Sequence, residues 1–224
     1  GRHRRLRFQQ LESRELLSSL PLINWAELTA LTPLSVSENS GEKPQSKVWR
    51  YADDWWSVLP DDSGTWLWRL DDASWNPVLR LSSNTSVHAD VRAIGDLAHV
   101  LLYDGRQSEF MTLSHSSDAV GGYVPWAVQP ELVGVTLTSG VETATIDVDS
   151  TGRLWLASDT DNSVEVRYSD FPYSSFSDPI TIASGIGSDD ISALVAIPGG
   201  AVGVLWSNQN VKRFGFSLHW DGDS

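Results

Sequence analysis

Four stretches of this chain repeat one plan, and no other feature of the sequence restricts the fold as tightly. They are KVWRYADDWWSVLPDDSGTWLWRLDDASW from Lys47, ADVRAIGDLAHVLLYDGRQSEFMTLSH from Ala89, ATIDVDSTGRLWLASDTDNSVEVRYSD from Ala144, and ALVAIPGGAVGVLWSNQNVKRFGFSLH from Ala193. Each reads as an apolar strand, a tight turn, a second strand, a polar turn and a third strand. The first turn is filled by Ala52-Asp53-Asp54, Gly95-Asp96, Ser150-Thr151-Gly152 and Pro198-Gly199-Gly200, all residues that favour reversal. In the third strands Val164, Val166 and Tyr168 alternate with Glu165 and Arg167, and Phe214, Phe216 and Leu218 with Gly215 and Ser217. A period of two lays one face on a core. NPVLRLS after Trp75 and DPITIAS after Ser177 add a fourth strand.

Four antiparallel strands per unit, recurring at about 40 to 57 residues, predict the blades of a β-propeller. The expected fold class is all-β, a partial propeller of about four blades over residues 47–224. A sandwich of short strands is the competing architecture, but it would not need four copies in register. No stretch after residue 47 keeps apolar residues at helical spacing over three turns. The last unit runs out at Trp220-Asp221-Gly222-Asp223-Ser224 without an obvious fourth strand. Since propellers take about four to eight blades, the chain is expected to stop before closure, and the missing initiator Met is read as the sign of a fragment.

Composition closes off several functions. The chain is 41% hydrophobic and 20% charged with 17 Gly and 10 Pro, the profile of a folded and turn-rich protein. Net charge is -13 although Arg2, Arg4, Arg5 and Arg7 open the sequence, so the body lacks the basic face that nucleic acid requires. No apolar run approaches the roughly 20 residues that cross a bilayer, and no transmembrane segment is expected. There is no Cys, which removes disulfides, thiolate metal sites and cysteine nucleophiles together.

Residues 1–20, GRHRRLRFQQLESRELLSSL, join an Arg cluster to an amphipathic stretch with Leu6, Leu11, Leu16, Leu17 and Leu20. Read as a short N-terminal helix, this suits a targeting segment that meets an anionic membrane surface; a plain surface helix is the other reading. Leu11-Glu12-Ser13-Arg14-Glu15-Leu16-Leu17 resembles the LEPR-XLL segment of bacterial surface and exported proteins, with Ser13 where that segment has Pro. The resemblance implies export, and hence an extracellular or cell-surface location. Residues 33–46, PLSVSENSGEKPQS, read as a linker. The expected organisation is a sorting-type segment over 1–32, a linker over 33–46 and blades over 47–224.

The run YSDFPYSSFSDPI from Tyr168 to Ile180 resembles the blade context of sialidase-type (BNR) propellers, in which an Asp-box turn, S-x-D-x-G-x-T-W, joins the third and fourth strands. Ser169, Asp170, Ser175 and Phe176 sit in comparable places, without the Gly and with Phe for Trp; LDDASW at Leu70 to Trp75 is a shorter echo. Such a turn implies fold rather than activity. The arginine cluster, Tyr-Glu pair and acid Asp of a sialidase cannot be matched to Arg50, Arg92, Arg153, Arg167 or Arg213, so no catalytic residue is assigned. Nucleophile-elbow, zincin, Walker and dinucleotide motifs are absent from the sequence.

Trp49, Trp55, Trp66, Trp68, Trp75, Trp155 and Trp206 could form a sugar-stacking platform or, alternatively, pack between twisted sheets. Trp155 and Trp206 lie in second strands and are expected in the core, whereas Trp55 or Trp56 must face outward if that strand alternates. Trp55, Trp56 and Trp75 are therefore the candidate ligand-binding residues. Asp147, Asp149 and Thr151 before Gly152 have the spacing that begins a calcium loop. The closing acid of such a loop is Ser158 here, and the equivalent turns at Gly95 and Gly200 lack the paired carboxylates, so a solvated hairpin is the plainer reading. No cofactor is otherwise expected. His99, His115 and His219 are too scattered for a metal triad, and the last two fall at matching ends of third strands.

The leading expectation is a non-catalytic, exported propeller module that binds carbohydrate or a surface protein. The alternative is a carbohydrate-active enzyme, a sialidase-like glycosidase or a lyase, whose axial site needs blades absent from this chain. A structural part of a long surface protein is the third.

Overall fold

The computed structural model describes residues 31–39 and 46–223. The Arg-rich stretch, the short helix and the LEPR-XLL-like heptad lie outside the described residues, as do residues 40–45 of the expected linker. All regular structure among the described residues is β, and no helix there is long and apolar enough to cross a membrane.

The repeat folds into four successive antiparallel sheets. Sheet 1 takes β1 (Val48–Tyr51), β2 (Asp54–Asp61), β3 (Gly64–Asp71) and β4 (Ser74–Ser82) in sequence order. Sheet 2 takes β5 (His88–Ile94), β6 (Leu97–Tyr103) and β7 (Gln107–His115), and its outer strand is split into β8 (Tyr123–Pro125) and β9 (Val133–Thr136), both paired to β7. Sheet 3 is β10 (Ala144–Val148), β11 (Leu154–Asp159), β12 (Ser163–Ser169) and β13 (Ile180–Ser184). Sheet 4 is β14 (Ser192–Ile197), β15 (Ala201–Asn208) and β16 (Arg213–Trp220). The turn residues sit where the repeat puts them. Ala52 and Asp53 both have positive φ, at 51° and 66°, the pairing of a two-residue turn that matches strand twist.

Three apolar clusters hold this array, each between one sheet and the next. Trp56, Val58 and Leu67 of sheet 1 meet Val91, Val100 and Leu113 of sheet 2. Leu101 and Phe110 of sheet 2 meet Ile146 and Leu156 of sheet 3, and Trp155, Ala157 and Val166 of sheet 3 meet Leu194, Val202 and Val204 of sheet 4. Every middle sheet is thus apolar on both faces, which is how blades side by side bury surface and two facing sheets do not.

One register differs from the sequence reading. Counting the fourth copy from Ala193 makes Val195 the counterpart of Val91 and Ile146, yet Leu194 is the residue in the core and Val195 is 52% exposed. The three-residue turn at Pro198 to Gly200 pairs Ile197 with Ala201, whereas five residues separate Val148 from its partner Leu154. With a period of two, a shift of one residue exchanges the faces.

Residues ahead of sheet 1 lie along it. The Thr32 amide donates to the Ala73 carbonyl at 2.8 Å and the Ser37 amide to the Pro60 carbonyl at 3.3 Å. Leu34 and Val36 border the same hollow as Trp68.

Candidate functional site

The innermost strands β5, β10 and β14 run side by side and are stitched together by polar side chains. Asp90 Oδ2 accepts the Ile146 amide at 2.7 Å and Oδ1 accepts the Ser46 amide at 2.6 Å, so one carboxylate ties sheet 2 to sheet 3 and to the start of sheet 1. In the same position of the next copy, Thr145 Oγ1 accepts the Leu194 amide at 3.0 Å. Arg92 Nε lies 2.8 Å from Asp147 Oδ1, and Asp147 Oδ2 accepts the Ala196 amide at 2.7 Å. An inner strand exposes a row of amides that must find acceptors, and the preceding sheet supplies them. Asp90, Arg92, Thr145 and Asp147 line a groove of about 430 Å³.

Burial pushes the Asp90 carboxyl up to about 6, the two amides opposing it and the Asp147 charge adding to it. Between about pH 4 and pH 6 the folded chain therefore holds a proton that the unfolded chain, with an ordinary carboxyl near 3.9, has released. Stability from this group is full below about pH 4 and falls as pH rises toward about 6. Asp159, also raised to about 6 by burial, has the same sign. His99, pushed down to about 4 by burial and secondarily by Arg92, has the opposite one, because its contribution disappears as pH falls from about 6.5 to about 4. Asp90→Asn isolates the first term. Urea unfolding should show the wild-type advantage over this variant shrinking by on the order of 2–3 kcal/mol between about pH 4 and pH 7; a difference that does not change with pH would count against it.

The candidate tryptophans separate by face. Trp56 is fully buried against sheet 2, while Trp55 is 46% exposed. Trp55 pairs with Leu70, and Leu70 with Trp75. The half-buried Trp75 and Trp55 thus flank Leu70 in one row on the outward face of sheet 1, with Arg50, the β1 partner of Trp55, at its end. Trp49, Trp68 and Trp155 are buried, and Trp206 packs against the third cluster.

Asp147, Asp149 and Thr151 are not gathered around one point. Asp147 reaches across to Arg92 and Ala196. Asp149 turns into its own hairpin, where Oδ1 accepts the amides of Thr151 and Arg153 and the Thr151 hydroxyl, and Oδ2 accepts the Trp155 indole N–H at 2.8 Å. Among the described residues no group of three or more His, Asp or Glu is placed to hold a metal ion.

Each of the three histidines occupies a different junction. His115 lies 5.1 Å from Tyr123 between sheets 1 and 2, His99 5.2 Å from Tyr173 between sheets 2 and 3, and His219 4.9 Å from Trp155 between sheets 3 and 4. At the last junction a cleft of about 700 Å³ opens, lined by Val166, Ile182 and Leu194 together with Tyr168, Arg153 and His219. The Arg153 guanidinium stacks 4.3 Å over Tyr168 and pairs with Asp170 at 2.7 Å. Sequence reasoning missed the Asp90 and Thr145 stitch, although both are the second residue of their copies and the polar interruption of an apolar strand is visible there.

No protein-family model matches the chain, and no curated protein sequence does. Among solved structures, the xyloglucan PUL GH43B protein of Bacteroides ovatus superposes with a TM-score of 0.50 at 16% identity, over 79% of this chain and 38% of that one. A mutant of NanB sialidase from Streptococcus pneumoniae aligns with a TM-score of 0.46 at 11% identity, over 71% of this chain and 26% of that one. The likeness to the first is one of fold, and since the chain spans 38% of that protein's length, what is established is an all-β, propeller-like array of four sheets.

Proposed function

We propose that this chain is a non-catalytic carbohydrate-binding module of an exported, cell-surface propeller, with the sugar laid on the Trp55-Leu70-Trp75 row. The observation that carries this reading is the row itself. Two indoles flank an apolar residue on an outward sheet face, two strand spacings or about 10 Å apart, a span of the order of a disaccharide, and aromatic faces suit the apolar side of a pyranose. Arg50 at the end of the row offers hydrogen-bond donors to hydroxyl groups. Residues 1–32 serve as the sorting segment in this reading, residues 33–46 connect, and residues 47–224 form the blades. The loop from Asp170 to Pro179 lies between the third and fourth strands of sheet 3, and Asp72-Ala73 between those of sheet 1, places that support kinship with BNR-type propellers.

Xyloglucan, the polysaccharide in the name of the similar solved structure, is the first glycan to assay. In affinity electrophoresis Trp55→Ala and Trp75→Ala should each weaken retardation by at least about tenfold, or about 1.4 kcal/mol, and the double variant should abolish it without releasing reducing ends. Unchanged binding by both single variants, or no retardation across a glycan panel, would sink the proposal.

A glycosidase is the second reading. It draws support from Asp90 and Asp147 opening onto one axial groove, since hydrolysis of a glycosidic bond uses a pair of carboxyl groups. Their existing amide bonds favour a stitching role instead. Turnover of any polysaccharide that Asp147→Asn abolishes would decide for the enzyme.

A further inference from the structure

The run from Ser174 to Asp178, whose sequence resembles the context of an Asp-box turn, joins the third and fourth strands of sheet 3 and plays no part in the tryptophan row of sheet 1. Together with β9 of sheet 2 and Arg167 of β12 it lines a groove of about 480 Å³, within the range of about 300–1,000 Å³ in which small molecules are held. Both sheets have their fourth strand position filled, by β8 and β9 in sheet 2 and by β13 in sheet 3.

β9 turns unused backbone groups to this groove. The Leu137 amide donates to the Arg106 carbonyl at 2.9 Å, and hydrogen-bonded pairs alternate with unbonded ones along an antiparallel ladder. Val135 opposite Ser108 and Val133 opposite Phe110 therefore share the bonds to β7, while Gly134 and Thr136 direct their amides and carbonyls away from it. Among the described residues no other backbone group takes them. Gly134 has no side chain to cover them, and even a Cβ there would meet nothing within 4 Å.

The side chains of the groove are also underused. Ser174 is exposed and its hydroxyl has no hydrogen-bond partner among the described residues. Arg167, 4% exposed, has five N–H groups but three contacts at 3.3 to 3.5 Å, to Glu165, Thr138 and Ser158, and none of them uses Nε. Phe176 adds a half-buried ring, 5.6 Å from Phe110.

Charge and edge length narrow the occupant. Glu165 already neutralises Arg167, and the exposed Asp178 adds a negative charge to the lining, so the groove does not select an anion. Two outward residues on a four-residue strand make a short edge for pairing with a peptide. What matches is a ligand whose polar groups each donate and accept, as hydroxyls do, and which has one apolar face.

We infer that this groove is a second carbohydrate site, which takes a single neutral pyranose ring. Its hydroxyls bond to the outward backbone of Gly134 and Thr136, to Ser174 and to the Arg167 guanidinium, and its apolar face lies on Phe176. None of these residues belongs to the Trp55-Leu70-Trp75 row, so the two sites stand or fall separately. A ligand of so few atoms is held in the millimolar range, and a gel with glycan well below that concentration registers the row alone.

The test uses the full chain carrying Trp55→Ala and Trp75→Ala, which silences the row, with methyl β-D-glucopyranoside as probe. Amide resonances of Gly134, Thr136 and Ser174 should shift saturably in the millimolar range, while those of β2 and β3 stay in place. Ser174→Ala should weaken binding by about three- to tenfold, what one hydrogen bond is worth. Gly134→Pro, which removes an outward N–H and no bond to β7, should weaken it at least as much. Should Gly134→Pro shift the melting curve, Ser174→Ala, at an exposed side chain, carries the test. The inference is overturned if these amides do not shift at tens of millimolar glucoside, or if both variants bind like their parent. Tighter binding of methyl β-D-glucuronide than of the glucoside would make the groove an anion site instead, and shifts caused by acetyl-TVT-amide but not by the glucoside would make it a peptide site; either result overturns the inference.

Discussion

Truncating Trp56 to alanine is expected to cost about 3–5 kcal/mol of stability, the range for removing a large ring from a packed core. The side chain is fully buried. Its ring meets Tyr123 edge-on at 4.9 Å and His115 at 6.0 Å, and its indole N–H donates to the Tyr51 carbonyl at 3.0 Å. The neighbouring chain is shaped around it: Gly122 has a φ of +78°, and a Cβ there would strike the far edge of the ring. The site cannot collapse easily, because Tyr123 is held in β8 and by the Trp49 indole at 3.1 Å. Single domains have about 5–15 kcal/mol in hand, so this change alone brings the first junction close to opening. Trp55→Ala, one residue away on the exposed face, should stay within about 1 kcal/mol. Guanidinium unfolding followed by circular dichroism measures both, and a loss below about 1 kcal/mol for Trp56→Ala would contradict the packing described.

The contrast between Trp55 and Trp56 marks how far the sequence reaches. Alternation requires the two rings to point opposite ways, but only the position of sheet 2 decides which is buried. The repeat, its turns and the third strands as strands were legible because each rests on local chemistry, but Phe214, Phe216 and Leu218, whose alternation was expected to lay them on a core, are 78%, 56% and 42% exposed. The outer strand of sheet 2 was not legible, since residues 126–132 split it and Pro125 ends its first part. The register of the fourth copy failed for a related reason, a shorter turn that moved the pattern by one position. Stitching was hidden by distance in sequence: Asp90 acts on an amide 56 residues on, and Thr145 on one 49 residues on. The spacing of Asp147, Asp149 and Thr151 was visible, but not that β10 ends at Val148 between the two carboxylates, which sends one toward sheet 4 and curls the other into its hairpin.

The second large effect concerns a buried ion pair at the outer side of sheet 3. Glu165 and Arg167 lie two residues apart on β12, with side chains 9% and 4% exposed and Arg167 Nη2 3.3 Å from Glu165 Oε2. Thr138 donates to the same carboxylate oxygen at 2.6 Å. Arg167's other contacts, to Ser158 Oγ at 3.5 Å and Thr138 Oγ1 at 3.4 Å, are at the outer limit of a hydrogen bond, so Glu165 is its principal partner. Glu165→Ala should therefore cost about 3–5 kcal/mol, most of it the penalty of a guanidinium left buried without its counter-charge. Replacing both, as Glu165→Ala with Arg167→Met, should cost less than Glu165→Ala alone, because a flexible apolar side chain fills the space without needing a partner. The four proteins of that cycle, unfolded in urea at one pH, give the coupling directly. Additive single losses would mean that solvent reaches the pair, and that sheets 2 and 3 stand further apart at their outer strands than the contacts between Thr138 and Glu165 imply.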